Sequence, residues 1–338
     1  MRSMRNHLRM ICALTLALAA GAQAAAADQT ATGSAGCRAS GLAPGDYERT
    51  LTHGGWTRTY RLHVPPSYRA GMPAPLLLNL HGGGGNAAQQ ERMSGLSAKA
   101  DSEGFILVTP DGIPSLVIRS METWNAGNCC GRAKRVTADD VGFVRSIIDA
   151  VSAELCVDPR RVYATGLSNG GMMSYRLACE LGDRIAAIAA VGGGMGDRDL
   201  DTTPASIAYP CKPPRPVAIL HIHGLDDRCY YYDGGKHRTG LSGTTFIPIA
   251  ETITGWVERN HCRNETAGTY ERGGARCRTY QGCERGGDVT LCTIDGGGHM
   301  WPGREYPTWL RLACGGSATE DLIANDLIWD FFQAHPMR

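Results

Sequence analysis

Thr165-Gly166-Leu167-Ser168-Asn169-Gly170-Gly171-Met172 is the stretch from which the fold can be read. Val162 to Thr165 has the pattern of a short buried strand, and a helix begins near Gly170. Between them, Gly166-x-Ser168-x-Gly170 is the pattern of a sharp strand-to-helix turn that carries a serine on its crest. Glycine is needed on both sides because a Cβ there would collide with the adjoining strand and helix. Such a turn lifts the hydroxyl above the sheet and places it at the first turn of a helix, where unpaired backbone N–H groups can hold a developing negative charge. The same pattern also fits an ordinary glycine-rich turn with a capping serine, so the rest of the chain has to decide.

Upstream, Leu76 to Leu80 is an apolar run that ends in His81-Gly82-Gly83-Gly84-Gly85-Asn86. Bare backbone in a loop of this kind can approach a reacting carbonyl and offer it an N–H. A phosphate loop would need a Lys-Ser/Thr ending, which is missing. A helix is expected from Ala87 to Ala100 and a second buried strand from Phe105 to Thr109. Asp139-Asp140 precedes a periodic helix, Val141 to Leu155, and is read as N-terminal capping. Ile185 to Val191 and Val217 to His223 are further buried strands, Ile249 to Arg259 a helix, and Arg276 to Tyr280 with Val289 to Ile294 a pair of short strands. A last helix is expected from Thr319 to Phe332. Strands alternating with helices at this spacing imply an α/β class, with a mostly parallel central sheet and helices on both faces.

The chain has 338 residues, a formal net charge of +1 and 43% hydrophobic residues. That balance carries no electrostatic footprint for nucleic acid or an anionic membrane. Arg2, Arg5 and Arg9 precede an apolar run from Met10 to Ala20 and the segment Ala22-Gln23-Ala24, so residues 1–27 are expected to be a signal peptide. Residues 28–40 read as a flexible lead-in and 41–338 as one catalytic domain. Of 13 cysteines, Cys12 falls in the signal, and the other twelve are an even number in an exported chain, which favours disulfides over a metal cluster. Cys277 with Cys292 would cross-link a hairpin, and Cys262 with Cys283 would close the segment in front of it. Cys129 and Cys130 are expected to serve two different partners, because a bond between neighbours has costly geometry. No metal site is expected, and the chain is expected to act as a monomer.

Serine becomes a nucleophile when a base takes its proton, and the base needs a carboxylate to orient it. The α/β-hydrolase order is serine, then acid, then histidine, each on a loop after a strand. Ser168, Asp227 and His299 satisfy that order: Asp226-Asp227 follows Val217 to His223, and His299 sits in Gly296-Gly297-Gly298-His299-Met300-Trp301-Pro302-Gly303. His221 and His223, alternate residues of one strand, are read as structural rather than as a metal pair. The oxyanion would be held by the N–H of Asn169 and one N–H from Gly82, Gly83 or Gly84. His81, Trp124 and Trp301 are candidates for the substrate pocket.

In combination, Leu80-His81-Gly82, Trp124-Asn125-Ala126-Gly127 with Cys129-Cys130-Gly131, Asp139-Asp140-Val141-Gly142-Phe143, the Ser168 turn, His221-Ile222-His223-Gly224 and the Gly296 to Gly303 loop resemble the esterase family of polyhydroxybutyrate depolymerases and bacterial feruloyl esterases. The resemblance spans nearly the whole mature chain. It implies an α/β-hydrolase fold, extracellular hydrolysis of esters and no cofactor, with Ser168 as the elbow serine and His299 as the loop histidine. That family usually carries His-Gly-Thr-Ala-Asp after the strand, whereas this chain has His223-Gly224-Leu225-Asp226-Asp227. The fifth position selects Asp227, and Asp226 remains the alternative. No linker or surface-binding domain of the granule depolymerases is evident, which favours soluble hydroxycinnamoyl or acetyl esters over polyester. A secreted binding protein that keeps the fold without the activity is the reading from another class.

Overall fold

The computed structural model describes Cys37, Tyr209 and residues 42–127, 129–195, 211–236, 245–305 and 307–338. Apart from Cys37, the expected signal peptide and lead-in lie outside the described residues.

In chain order the strands are β1 (Gly45–His53), β2 (Trp56–Val64), β3 (Ala74–Leu80), β4 (Ile106–Pro110), β5 (Ile113–Pro114), β6 (Glu122–Thr123), β7 (Val157–Leu167), β8 (Ala187–Val191), β9 (Ala218–Gly224), β10 (Gly235–Lys236), β11 (Thr245–Phe246), β12 (Thr266–Arg272), β13 (Ala275–Tyr280) and β14 (Val289–Ile294). The helices are α1 (Ala87–Ser94), α2 (Leu96–Glu103), α3 (Gly131–Arg135), α4 (Asp140–Glu154), α5 (Asn169–Glu180), α6 (Ile249–Arg259), α7 (Thr308–Cys314) and α8 (Ala324–Ala334). Ten strands form one sheet in the order β1-β2-β4-β3-β7-β8-β9-β14-β13-β12. Every pairing from β4 across to β14 is parallel, and the outer pairings are antiparallel. β5–β6 and β10–β11 are small separate hairpins.

Strand β3 shows why the central strands are apolar throughout. All seven of its residues are buried, and successive side chains face opposite layers. Leu76, Leu78 and Leu80 join the layer containing Phe143 and Ile147 of α4, Met172 of α5 and Trp256 of α6. Leu77 joins the layer containing Leu96 of α2 and Ile328 and Phe332 of α8. In that second layer Tyr163 stacks on Phe332 at 4.6 Å, and Phe105 meets Trp329 at 4.3 Å. This is the doubly covered sheet of an α/β-hydrolase, with the loops at the carboxyl ends of its parallel strands left to carry function.

Several expected boundaries move. The helix expected over 87–100 divides at Gly95, which takes φ 64° beneath the Arg304 guanidinium and serves as the end of α1. The carboxyl-terminal helix starts at Ala324, because the preceding residues turn through the Asp321 N–H bond to Thr319 Oγ1. Asp139 caps α4 by accepting from Gly142 N–H at 2.9 Å, as its position suggests. Asp140 does something else: it is fully buried and pairs with Arg58 at 2.6 Å.

Six disulfides join Cys37 to Cys156, Cys129 to Cys130, Cys179 to Cys211, Cys229 to Cys314, Cys262 to Cys283 and Cys277 to Cys292. The two expected pairs are among them. The expectation that Cys129 and Cys130 bond elsewhere is corrected. The other ten cysteines are consumed pairwise, and the segment is folded back on itself by Ala126 N–H to Cys129 O and Cys130 N–H to Trp124 O.

Candidate active site

Strand β7 runs directly into Ser168, which has φ 55° and ψ −120° and stands immediately before α5. A non-glycine residue with positive φ is strained and is tolerated where its surroundings over-determine it. Here they do. A Cβ on Gly166 would come within 2.6 Å of Leu80 O and Gly170 C, and one on Gly170 would collide with Leu80 O and His81 O. Gly193, in the loop after β8, lies so close to Ser168 O that it too has no room for a side chain. Ser168 N–H is fixed to Val191 O at 2.8 Å. The serine is half-buried, between residues that are fully enclosed.

Asp227 and His299 are brought together by the ends of β9 and β14, which are parallel neighbours. His299 Nδ1 lies 2.6 Å from Asp227 Oδ2, and both residues are buried. The other carboxylate oxygen, Oδ1, accepts the backbone N–H groups of Cys229 and Tyr230, each at 2.8 Å. Asp226, the alternative acid, is exposed. Its backbone instead stitches the two loops through Asp226 N–H to Gly297 O. Gly192, at φ 58°, faces the pair: a Cβ there would stand 3.3 Å from His299 Nδ1 and 3.5 Å from Asp227 Oδ2. Gly192 and Gly193 were not singled out from sequence, although a Gly-Gly-Gly run after a buried strand was the available signal. The Cys229–Cys314 bond fastens the turn after Asp227 to α7, and Gly298 packs on Gly315 at the end of that helix.

The glycine loop after β3 lies over the serine. A Cβ on Gly82 would be 3.5 Å from Ser168 Cβ, and one on Gly83 would be 3.5 Å from Asn169 Cβ. Gly82 and Gly83 have no hydrogen-bond acceptor for their N–H groups among the described residues, and Asn169, the first residue of α5, has no intrahelical one. Gly84 is different: its N–H donates to Glu122 O at 2.8 Å, so it leaves the set of candidate oxyanion donors. The Asn169 side chain bonds the Trp124 backbone at both ends, accepting from N–H at 2.8 Å and donating to C=O at 3.1 Å.

His81, Trp124 and Trp301 do not present open faces. Their exposures are 1%, 0% and 1%. Trp124 donates its indole N–H to His81 O and Trp301 donates to Asn325 Oδ1, so both indoles are built into the supports of the loops rather than their rims. His81 accepts Gly112 N–H at Nε2, donates to Gly82 O from Nδ1, and is driven by burial down to about 4, so it is neutral. Beside it, burial and the nearby Asp111 carboxylate push Glu122 up to about 8. Arg58 ties this region to α4. It donates to Asp111 O from Nε and Nη2, pairs with Asp140, and lies 3.7 Å above the Phe143 ring. Asp140 in turn accepts Asn125 N–H, one residue after Trp124. No group of side chains suited to a metal ion occurs among the described residues.

A backbone-crested serine, a buried carboxylate–histidine pair and a glycine loop at the carboxyl edge of a parallel sheet define an α/β-hydrolase site. Residues 58–207 match the family described as esterase PHB depolymerase. The chain is 35% identical over 237 residues to feruloyl esterase B of Piromyces equi, covering 70% of this chain and 41% of that protein. It is 34% identical over 301 residues to the putative esterase NocK of Nocardia uniformis subsp. tsuyamanensis, covering 84% and 81%. Among solved structures, the acetyl xylan esterase from Aspergillus awamori superposes with a TM-score of 0.54 at 16% identity, over 85% of this chain and 99% of that one, which is a likeness of fold. The chain belongs to the esterase PHB depolymerase family.

Proposed function

We propose that this esterase is a secreted serine carboxylic-ester hydrolase working through an acyl-enzyme, with Ser168 as nucleophile, His299 as base and Asp227 as its orienting acid. The observation that carries the reading is the 2.6 Å contact from His299 Nδ1 to Asp227 Oδ2, together with a serine held at positive φ at the end of β7. A carboxylate only accepts, so Nδ1 carries the proton and Nε2 is left bare to take one from Ser168 Oγ. The alkoxide attacks the ester carbonyl, and the tetrahedral oxyanion is held by Asn169 N–H with Gly82 or Gly83 N–H. His299 returns its proton to the leaving alcohol. Water, deprotonated by the same nitrogen, then releases the acid. Six disulfides within the described residues support a life in an oxidising compartment outside the cytoplasm.

For substrate we propose soluble hydroxycinnamoyl or acetyl esters, supported by the feruloyl esterase relative. A second reading, hydrolysis of short-chain polyester, is favoured by one feature. Leu116, Val117 and Ile118, at 74%, 90% and 51% exposure, form an apolar tip between β5 and β6. That hairpin is tied to the glycine loop through Gly84 N–H to Glu122 O and Asn86 to Ser120 O. Initial rates of the mature chain and its Ser168→Ala variant on methyl ferulate and on a polyhydroxybutyrate suspension test both. Serine-dependent ferulate release with an unchanged suspension supports the first reading. Clearing of the suspension without ferulate release replaces it with the second, and inactivity on both and on p-nitrophenyl acetate removes the esterase reading.

A further inference from the structure

Leading up to Asp227 lies a line of buried polar groups that the proposed reaction does not use. Tyr175 Oη, in the middle of α5, is 2.8 Å from His221 Nδ1. His221 Nε2 is 3.1 Å from His223 Nδ1. His223 Nε2 is 2.8 Å from Tyr230 O and 3.5 Å from Asp227 Oδ2. The imidazole rings of His221 and His223 are stacked, 10° from parallel, and each residue is at most 1% exposed.

The protons in this line can be placed one by one. Tyr230 O is a carbonyl and only accepts, so His223 Nε2 carries hydrogen. Burial favours the neutral imidazole for both histidines. A neutral His223 therefore has a bare Nδ1, which must accept from His221 Nε2–H. His221 is then bare at Nδ1 and accepts from the Tyr175 hydroxyl. Every donor points the same way, toward the acid of the site, and no buried nitrogen is left without a partner.

The far end of the line holds the acid from two directions. Tyr230 O takes the His223 hydrogen while Tyr230 N–H donates to Asp227 Oδ1, so His223 closes the turn that clamps one carboxylate oxygen. The same His223 N–H faces the other oxygen, Oδ2, which is the one that receives His299. We propose that His223 is a positioning residue for the acid–base pair, and that Tyr175 and His221 hold it in the one tautomer able to serve Asp227. The inference rests on the triad reading above and extends it inward to a second, buried layer.

Three variants test it on the mature enzyme, using p-nitrophenyl acetate. His223→Leu removes the N–H. His223→Asn keeps a polar partner for His221 but is too short to reach Tyr230 O. His223→Gln places an amide N–H near the original Nε2. The groups facing His223 are His221, then Tyr230, Tyr232 and Asp227 from the turn after β9, and His299, while Tyr175 reaches it through His221. Without the His223 N–H, the carboxylate charge falls more fully on His299, which favours the protonated ring. The acid limb of kcat/KM should then move to higher pH by about half a unit. For Leu and Asn, kcat should fall about tenfold with KM within about twofold of the parent, the loss expected when the buried hydrogen bond to Tyr230 O that braces the acid's turn is removed. Gln should restore most of both. Should Leu not fold, the Asn and Gln pair carries the comparison.

An unmoved acid limb in folded Leu or Asn protein, or Gln as impaired as Asn, overturns the inference. A parent enzyme with no activity on the ester would instead overturn the triad reading, so the two failures are distinct.

Discussion

His299 and Asp227 are 72 residues apart in sequence and 2.6 Å apart in space, with the carboxylate fully enclosed and its second oxygen taken by two backbone N–H groups. The oxygen left over faces the His299 ring at hydrogen-bond distance, with the His223 N–H 3.5 Å away. Asp227→Asn should leave the fold intact yet present an N–H where His299 requires an acceptor. Turnover should fall by about 10³-fold to 10⁴-fold. Asp226→Asn should stay within about twofold of the parent enzyme, since Asp226 is exposed. Steady-state rates on p-nitrophenyl acetate check both, and a reversed ranking would exchange their roles.

Asn169 is expected to matter through its side chain as well as its N–H. Asn169→Ala strips the Trp124 backbone of both partners inside the core, a cost of about 2–4 kcal/mol for two buried polar groups. Asn169→Asp keeps the acceptor for Trp124 N–H but sets a negative charge next to the developing oxyanion. It should lose at least about 100-fold in kcat. Urea melts read the first effect and single-turnover rates the second. An Asp variant as fast as the parent enzyme would remove the oxyanion site from the amino end of α5.

The Arg58–Asp140 pair is fully enclosed, so removing one member abandons a buried charge. Arg58→Met should cost about 3–5 kcal/mol of stability. Adding Asp140→Leu should cost less than the sum of the two single changes, because the partners are in contact. Urea midpoints of the two single variants and the double variant give the coupling directly.

Glu122 makes stability depend on pH. Its folded value of about 8 stands above the ordinary 4.5, so within that window the folded chain holds a proton that the unfolded chain has released. The contribution is complete below 4.5 and is lost as pH rises through about 8. Glu122→Gln should therefore flatten the decline in stability across pH 5 to 8 in parallel urea titrations. An identical slope in parent and variant would show that Glu122 ionises normally.

What was legible in the sequence was local. The Ser168 turn could be read because sterics confine it to five residues with glycine on either side, and the apolar strands could be read because both their faces are covered. Spacing alone points to Asp227 over Asp226, and only where β9 and β14 run side by side does it become visible that the Asp227 carboxylate meets His299 while Asp226 is exposed. Gly84 could not be told from Gly82 and Gly83 without the hairpin that captures its N–H. Trp124 and Trp301 were placed at the pocket because aromatic loop residues often line one, but both indole N–H groups have acceptors within the fold. Edge strand β12 carries no readable sequence signal because it is mostly exposed and lacks an apolar pattern, and neither does α7, six of whose seven residues are not buried. Arg58, Asp140 and Asn125 form a tertiary network that no sequence period encodes.

Covalent labelling tests the central claim most directly. The mature chain is treated with a fluorophosphonate, digested and mapped by mass spectrometry. The account expects a single adduct on Ser168, lost in Ser168→Ala and slowed in His299→Ala. An adduct on another residue, or labelling that persists in Ser168→Ala, would contradict it.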